Sequence, residues 1–230
     1  MEEPSARLVW RDWILASCLS AVIGVGTATV AGVALFRFFG PHWFRYAASF
    51  VAFTVVNAGV TATLQYRVLV APLPYLHRNQ WVLSTLLGSI LTWSAAFLTP
   101  FAEDLLSDGA SEWWLTQETS IALGVGLGFG MGLAQMMALI EWVRDPWKWV
   151  VGSTLAWAVA TPALWYVARE IGSDEPLRAL PLAAGLLLLA GVVVGLIEGF
   201  VVRSLGHRDE AAIQYTRSAL DEIGSIDLGD

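Results

Sequence analysis

The sequence predicts an all-α integral membrane protein with six transmembrane helices, built as three tandem parallel two-helix repeats of about 68 residues. Three observations predict this class. Hydrophobic residues make up 56% of the chain and charged residues 14%, and the mean hydropathy is +0.60. A tryptophan recurs at one fixed interval, and a polar residue recurs inside the second apolar stretch of each repeat. A composition of this kind is typical of chains that cross a membrane.

Six apolar stretches are long enough to cross the hydrocarbon core of a bilayer, which requires about 20 residues in a helix. They cover residues 13–36, 47–70, 81–101, 119–142, 149–168 and 180–203. None of them alternates between apolar and polar residues with the period of two that a membrane barrel strand shows. We therefore expect all six to be helices.

The tryptophan repeat defines the units. Trp13, Trp81 and Trp149 are separated by the same interval, and each begins an apolar run with small residues three, four and seven places later. The repeats cover about 13–72, 81–143 and 149–204, so that residues 1–204 form one transmembrane domain. Because each unit has two helices, all three units point the same way and are related by an axis along the membrane normal.

The second helix of each unit carries a polar residue in apolar sequence: Gln65, Gln135 and Glu198. Two small residues precede each polar residue by seven and three places, and a large aliphatic residue follows four places later. The small residues are Ala58, Ala62, Gly128, Gly132, Gly191 and Gly195. All these positions share one helix face. We therefore expect the small residues to pack against other helices and the polar residues to form one intramembrane layer.

The fourth helix has more glycines than this stripe requires. Gly124, Gly128 and Gly132 lie on one face, and Gly126 and Gly130 lie on another. We expect the fourth helix to be packed on two sides and to lie near the centre of the bundle.

The repeated tryptophans lie where each unit begins, at the expected membrane boundary. An amphipathic indole ring prefers the headgroup region. We therefore interpret Trp13, Trp81 and Trp149 as interfacial anchors.

The distribution of basic residues predicts the orientation. Nine Arg and Lys residues lie in the N-terminus, the second and fourth loops and the C-terminal tail, and four lie in the other loops. This excess places both termini in the cytoplasm. The third loop agrees with an outside location, since it has five acidic residues and no basic one. Short loops and an excess of Arg over Lys favour location in a plasma membrane, specifically the inner membrane of a bacterium.

The tail, residues 205–230, mixes apolar and charged residues up to Gly224. This pattern predicts a short amphipathic helix followed by a disordered end.

The sequence lacks the residue groups that catalysis or cofactor binding would need. His42, His77 and His207 lie outside the apolar stretches, and Cys18 is the one cysteine. There is no H-E-x-x-H or G-x-S-x-G motif and no pair of intramembrane acids. We therefore expect no enzyme activity, no metal and no cofactor. The net charge of −7 gives no indication of nucleic-acid binding.

Glu198 has two interpretations, because it is the one carboxyl group deep in an apolar stretch. In the first it is protonated and hydrogen-bonds to Gln65, Gln135 or a hydroxyl group, in the packing role that the two amides have in the other repeats. In the second, the three polar side chains surround the repeat axis and line a narrow path or bind a small polar group. The two amides show that the position does not require a charge, which favours the first.

Two functions follow from these interpretations. The first is a non-catalytic membrane scaffold or accessory subunit, whose partners are the lipid bilayer and other membrane subunits or further copies of itself. The second is a small transporter or channel that uses the layer of Gln65, Gln135 and Glu198. Short loops and small-residue faces favour the scaffold.

The orientation gives a testable prediction. In a chain of otherwise unchanged sequence, a cysteine in place of Ser107 should react with a membrane-impermeant thiol reagent from outside the cell. A cysteine in place of Arg208 should react only after the membrane is permeabilised. Finding both cysteines on the same side would contradict the six-span arrangement.

Overall fold

The described part of the chain folds into six long helices. The computed structural model describes residues 6–28, 31, 34, 42–106, 117–171 and 176–205. The helices are α1 (Ala6–Leu19, continuing into a π-helical segment, Ser20–Gly24), α2 (His42–Leu69), α3 (Arg78–Leu106), α4 (Gln117–Leu139), α5 (Trp147–Ile171) and α6 (Pro176–Ser204). These residues contain no strand, which confirms the all-helical class. The predicted tail helix and the disordered end lie outside the described residues.

Three helical segments among the described residues are long and apolar enough to cross a membrane: Val9–Ala28, which begins in α1 and runs past the π-helical segment, Ser120–Leu139 in α4 and Pro181–Ser204 in α6. The other helices, α2, α3 and α5, contain 28, 29 and 25 residues. At about 1.5 Å per residue, each of these is longer than the hydrocarbon core of a bilayer, about 30 Å thick. The fold is therefore that of a membrane protein with at least three helices suited to spanning.

The helices form a closed ring. Each helix packs against the one before it and the one after it in the chain, and α1 packs against α6. Residues from all six helices line a pocket inside the ring. The fourth helix packs against α3 and α5: Gly128 and Gly132 lie against α5 and Gly130 lies against Thr92 of α3, whereas nothing lies within 4 Å of the Cβ position of Gly126. This helix does not occupy the centre, because the pocket lies there.

Glycines bring the backbone of α4 against that of α5. A Cβ atom at Gly128 would overlap the backbone of Ser153 and Thr154, and a Cβ atom at Gly132 would lie 2.9 Å from Cα of Val150. Only glycine permits this approach, since any side chain would have to occupy space that the neighbouring backbone fills.

The contact between α6 and α1 uses positions that correspond in the sequence pattern to those of the contact between α4 and α5. A Cβ atom at Gly191 would lie 2.8 Å from Cα of Cys18 and 3.0 Å from the carbonyl oxygen of Ser17. One at Gly195 would lie 2.8 Å from Cα of Ile14. In both interfaces the first glycine of the pair lies against the residues four and five places after the repeated tryptophan of the neighbouring helix. The second glycine lies against the residue one place after that tryptophan.

The end of the ring that holds the N-terminus of α1 and the C-terminus of α6 contains the main apolar core. Trp13, Trp81 and Trp149 are fully buried there. The side chains packed with them come from the ends of the even helices and from the connections that follow: Ala62, Leu69, Leu73, Leu76, Ala138, Leu139, Trp142, Val143, Val201, Val202 and Leu205. This core closes that end of the ring.

Glycine-to-alanine substitutions on α4 should have opposite effects on the free energy of unfolding inside and outside the interface with α5. Gly128→Ala should lower the free energy of unfolding by about 1–3 kcal/mol, because the new methyl group overlaps the backbone of α5. Gly126→Ala is the matched control on the same helix, since nothing lies within 4 Å of its Cβ position. It should be neutral or stabilise the protein by up to about 1 kcal/mol, because alanine is the better helix former. Reversible unfolding in detergent micelles measures both, and equal effects would contradict the interface.

Candidate functional site

The pocket inside the ring is the candidate functional site. About 90 Å³ of it is accessible to the centres of water molecules. One water molecule needs roughly 10–15 Å³ by this measure, so the pocket has room for several. It begins at Gln65, Gln135 and Glu198 and extends away from the N-terminus of α1 as far as Val25, just after the π-helical segment, and Leu164 in α5.

The three polar residues of the even helices lie together at the inner end of the pocket. Their exposed fractions are 5% for Gln65, 2% for Gln135 and 2% for Glu198, and all three line the pocket. The structure thus places them in the protein interior. The small residues that precede them, Ala58, Ala62, Gly128, Gly132, Gly191 and Gly195, are also buried.

Gln135 is the best satisfied member of this layer. Its Nε2 donates to Oε1 of Gln65 at 3.3 Å and to Oγ1 of Thr85 at 3.1 Å. Its Oε1 accepts a hydrogen bond from Nε1 of Trp149 at 2.9 Å. The amide therefore links α4 to α2, α3 and α5. An amide suits this position because it donates and accepts at once.

Glu198 has a different environment. Trp13 and Ser153 flank its carboxyl group, in the same relation that Trp149 and Thr85 have to Gln135. However, Oε2 of Glu198 forms no hydrogen bond, and neither do Nε1 of Trp13 and Oγ of Ser153. The packing interpretation expected Glu198 to bond to one of the two glutamines or to a hydroxyl group. The two glutamines pair with each other, and the hydroxyl group of Ser153 lies beside the carboxyl group of Glu198, whose Oε2 retains unused hydrogen-bonding capacity.

The three repeated tryptophans lie directly behind this layer. The ring of Trp149 packs edge-on against that of Trp13, with centroids 5.4 Å apart, and against that of Trp81 at 5.8 Å. All three side chains have an exposed fraction of 0%. The anchoring interpretation requires rings that contact headgroups, and these rings contact protein instead. The reason is the direction of the side chains, which point into the ring of helices and close the inner end of the pocket.

Hydroxyl and amide groups line the walls of the pocket. Ser17 and Ser20 contribute from α1, Asn57 and Thr61 from α2, and Ser89 from α3. Ser20 begins the π-helical segment, and its Oγ donates to the carbonyl oxygen of Ala16 at 2.7 Å. A π-helical turn inside an α-helix is frequent at functional sites. Oγ of Ser17 is buried and forms no hydrogen bond.

Two further tryptophans line the pocket beyond the polar layer. Trp93 in α3 and Trp157 in α5 pack edge-on, with ring centroids 6.5 Å apart. Sequence reasoning missed both, and it treated Ser17 and Ser20 only as small residues for packing. The available signal was their spacing, since Trp157 lies four residues after Ser153 and Trp93 eight residues after Thr85, on the faces that carry the hydroxyl groups.

The lining of the pocket provides groups that can hold a small ligand. Within the described part of the chain, no three His, Cys, Asp or Glu residues are grouped as a metal site would need. The pocket offers hydrogen-bonding groups, one carboxyl group and two indole rings. Comparisons with known proteins add no guide to a ligand: no family model, no curated protein and no solved structure matches the chain.

The polar layer gives a prediction that a double-mutant cycle tests. Trp149→Phe and Gln135→Leu remove the two partners of one buried hydrogen bond, so their effects on the free energy of unfolding should be coupled by about 0.6–1.7 kcal/mol. Trp81→Phe with Gln65→Leu is the matched cycle, because Nε1 of Trp81 has no partner. Its coupling should be close to zero. A coupling of equal size in the two cycles would contradict the hydrogen-bond assignment.

Proposed function

We propose that the protein is a bacterial plasma-membrane protein whose six helices all span the bilayer, with both termini in the cytoplasm. In this proposal the hairpins α1–α2, α3–α4 and α5–α6 are three tandem parallel repeats. Two observations support it. The glycine contacts of α4 with α5 and of α6 with α1 use corresponding positions. Seven of the nine basic residues counted on the cytoplasmic side fall in the described part of the chain, and these lie at the end of the ring that the tryptophan core closes.

Within this framework, the protein is a small, non-catalytic transporter that takes up a solute in its central pocket. The observation that carries this proposal is the shape and lining of the pocket. Polar side chains from α1, α2, α3, α4 and α6 line it, and the buried core of Trp13, Trp81 and Trp149 closes it on the side of the termini. Such a pocket suits a binding state that is open toward the outside and closed toward the cytoplasm.

The scaffold function explains less of this structure. A scaffold binds its partners through its outer surface, and it gains nothing from a polar pocket inside the ring. Polar groups without hydrogen-bond partners in the interior, such as Oε2 of Glu198 and Oγ of Ser17, lower stability. A bound solute that pairs with them would account for their presence. An open channel fits less well, because the tryptophan core leaves no continuous path in this conformation.

Transport requires the tryptophan core to separate when the solute leaves toward the cytoplasm. The rings meet edge-on through one central residue, Trp149, which contacts both others. A movement of α5 against its neighbours would therefore break both ring contacts at once. Small sliding movements of packed elements are a common basis of alternating access.

Cysteine labelling tests the proposed access to the pocket. In a Cys18→Ser background, Asn57→Cys places a thiol in the pocket wall, and Ala138→Cys places one in the core behind the tryptophans. A small membrane-impermeant thiol reagent added outside should react with the first and not with the second. Unreactive Asn57→Cys in folded protein would contradict a pocket open to the outside. A stable multi-subunit complex purified from the native membrane, together with an unreactive pocket, would favour the scaffold.

A further inference from the structure

The pocket is lined by one buried acid, Glu198, which Trp13 and Ser153 flank. Oε2 of Glu198 is buried without a hydrogen-bond partner, and the side chain lines the pocket at its inner end. Of the described residues that line the pocket, Glu198 is the one with an ionisable side chain, so no Arg, Lys or His there balances it. A carboxylate in such surroundings is unfavourable unless a cation or a proton accompanies it.

Other acceptor atoms with unused capacity lie in the same layer. Oγ of Ser17, on the face of α1 that packs against Gly191 and Gly195 of α6, forms no hydrogen bond. Oε1 of Gln65 accepts one bond, from Gln135, and a carbonyl oxygen can accept two. Ser17, Gln65 and Glu198 all line the pocket, and each has an acceptor atom with unused capacity. A primary ammonium group has three N–H donors to match them.

The wall beyond the acid is aromatic. Trp157 lies one helical turn from Ser153, which flanks the Glu198 carboxyl group, and Trp93 packs against Trp157. Indole faces attract cations and accommodate the hydrocarbon part of an organic ligand. A bare metal cation would gain little from these two rings.

We propose that the ligand of this pocket is a small organic cation with a primary ammonium group, bound at Glu198, Ser17 and Gln65 with its hydrocarbon part against Trp157 and Trp93. This assignment rests on the proposed function, since it names the class of solute that the transporter takes up. The pocket limits the ligand to a few carbon atoms, because its space accommodates only several water molecules.

Titration calorimetry of the full-length protein in lipid nanodiscs tests the assignment, with n-butylammonium as the probe. The wild-type protein should bind it saturably and should bind neither n-butanol nor sodium at the same concentration. Glu198→Gln should weaken binding at least about 10-fold, because a hydrogen-bonded charge is lost. Glu141→Gln is the matched control, since Glu141 is an exposed acid at the end of α4, and it should leave binding unchanged.

Two further variants keep the test decisive if Glu198→Gln does not fold. Ser17→Ala should weaken binding about 2- to 10-fold through the loss of one acceptor. Trp157→Leu should weaken it about 2- to 5-fold through the loss of an indole face. Equal binding by wild type and Glu198→Gln, equal binding of n-butanol, or displacement of the amine by sodium would overturn the assignment.

The labelling experiment separates this assignment from the proposed function. If Asn57→Cys reacts from outside and n-butylammonium neither binds nor slows the reaction, the ligand class is wrong and the accessible pocket stands. If Asn57→Cys does not react, the accessible pocket and the ligand class both fail. Protection of Asn57→Cys by n-butylammonium, and not by n-butanol, would support both.

Discussion

The rest of the structure depends on the close backbone contact that glycine permits between neighbouring hairpins of the ring. In a bilayer, burial of apolar side chains between helices gains little, because the lipid is as apolar as the protein interior. Helices must then be held by short-range packing and by hydrogen bonds. Gly128 and Gly132 supply the first where α4 meets α5, and Gly191 and Gly195 supply it where α6 meets α1. These contacts close the ring, and a closed ring has an interior.

The interior divides into a packed part and an open part. Three large indole rings fill the space at one end, because Trp13, Trp81 and Trp149 all point inward and meet edge-on. Small residues and hydroxyl groups occupy the corresponding faces farther along the helices and leave the space unfilled. The polar layer lies at the boundary between the two parts. Its glutamines are held by hydrogen bonds, and Glu198 combines burial with an unpaired oxygen atom. This contrast separates the amides, which have structural partners, from the acid, which has a binding role in our proposal.

The all-helical class was predictable from the sequence, and Gln65, Gln135 and Glu198, which the sequence pattern predicted to face protein, are buried. The period of the small residues identified the packing faces, and the offsets to Gln65, Gln135 and Glu198 identified one face on each even helix. The direction of the tryptophans was not predictable. An indole ring at a helix end can face either lipid or protein, and the sequence pattern is the same in the two cases. Trp93 and Trp157 were missed because aromatic residues in an apolar stretch are usually packing residues, and their helical spacing from Thr85 and Ser153 was the one signal that could have found them.

The sequence by itself determined the helical class, the apolar stretches and the residues that each helix presents on one face, because these follow from composition and from the period of the α-helix. Only the tertiary structure decided which faces meet. The pairing of α6 with α1 joins residues that are far apart in the chain, and no local pattern encodes such a contact. The pocket, the cluster of buried tryptophans and the unpaired oxygen of Glu198 all result from that closure. They depend on the simultaneous position of six helices, which is a property of the packed ring and not of any single segment.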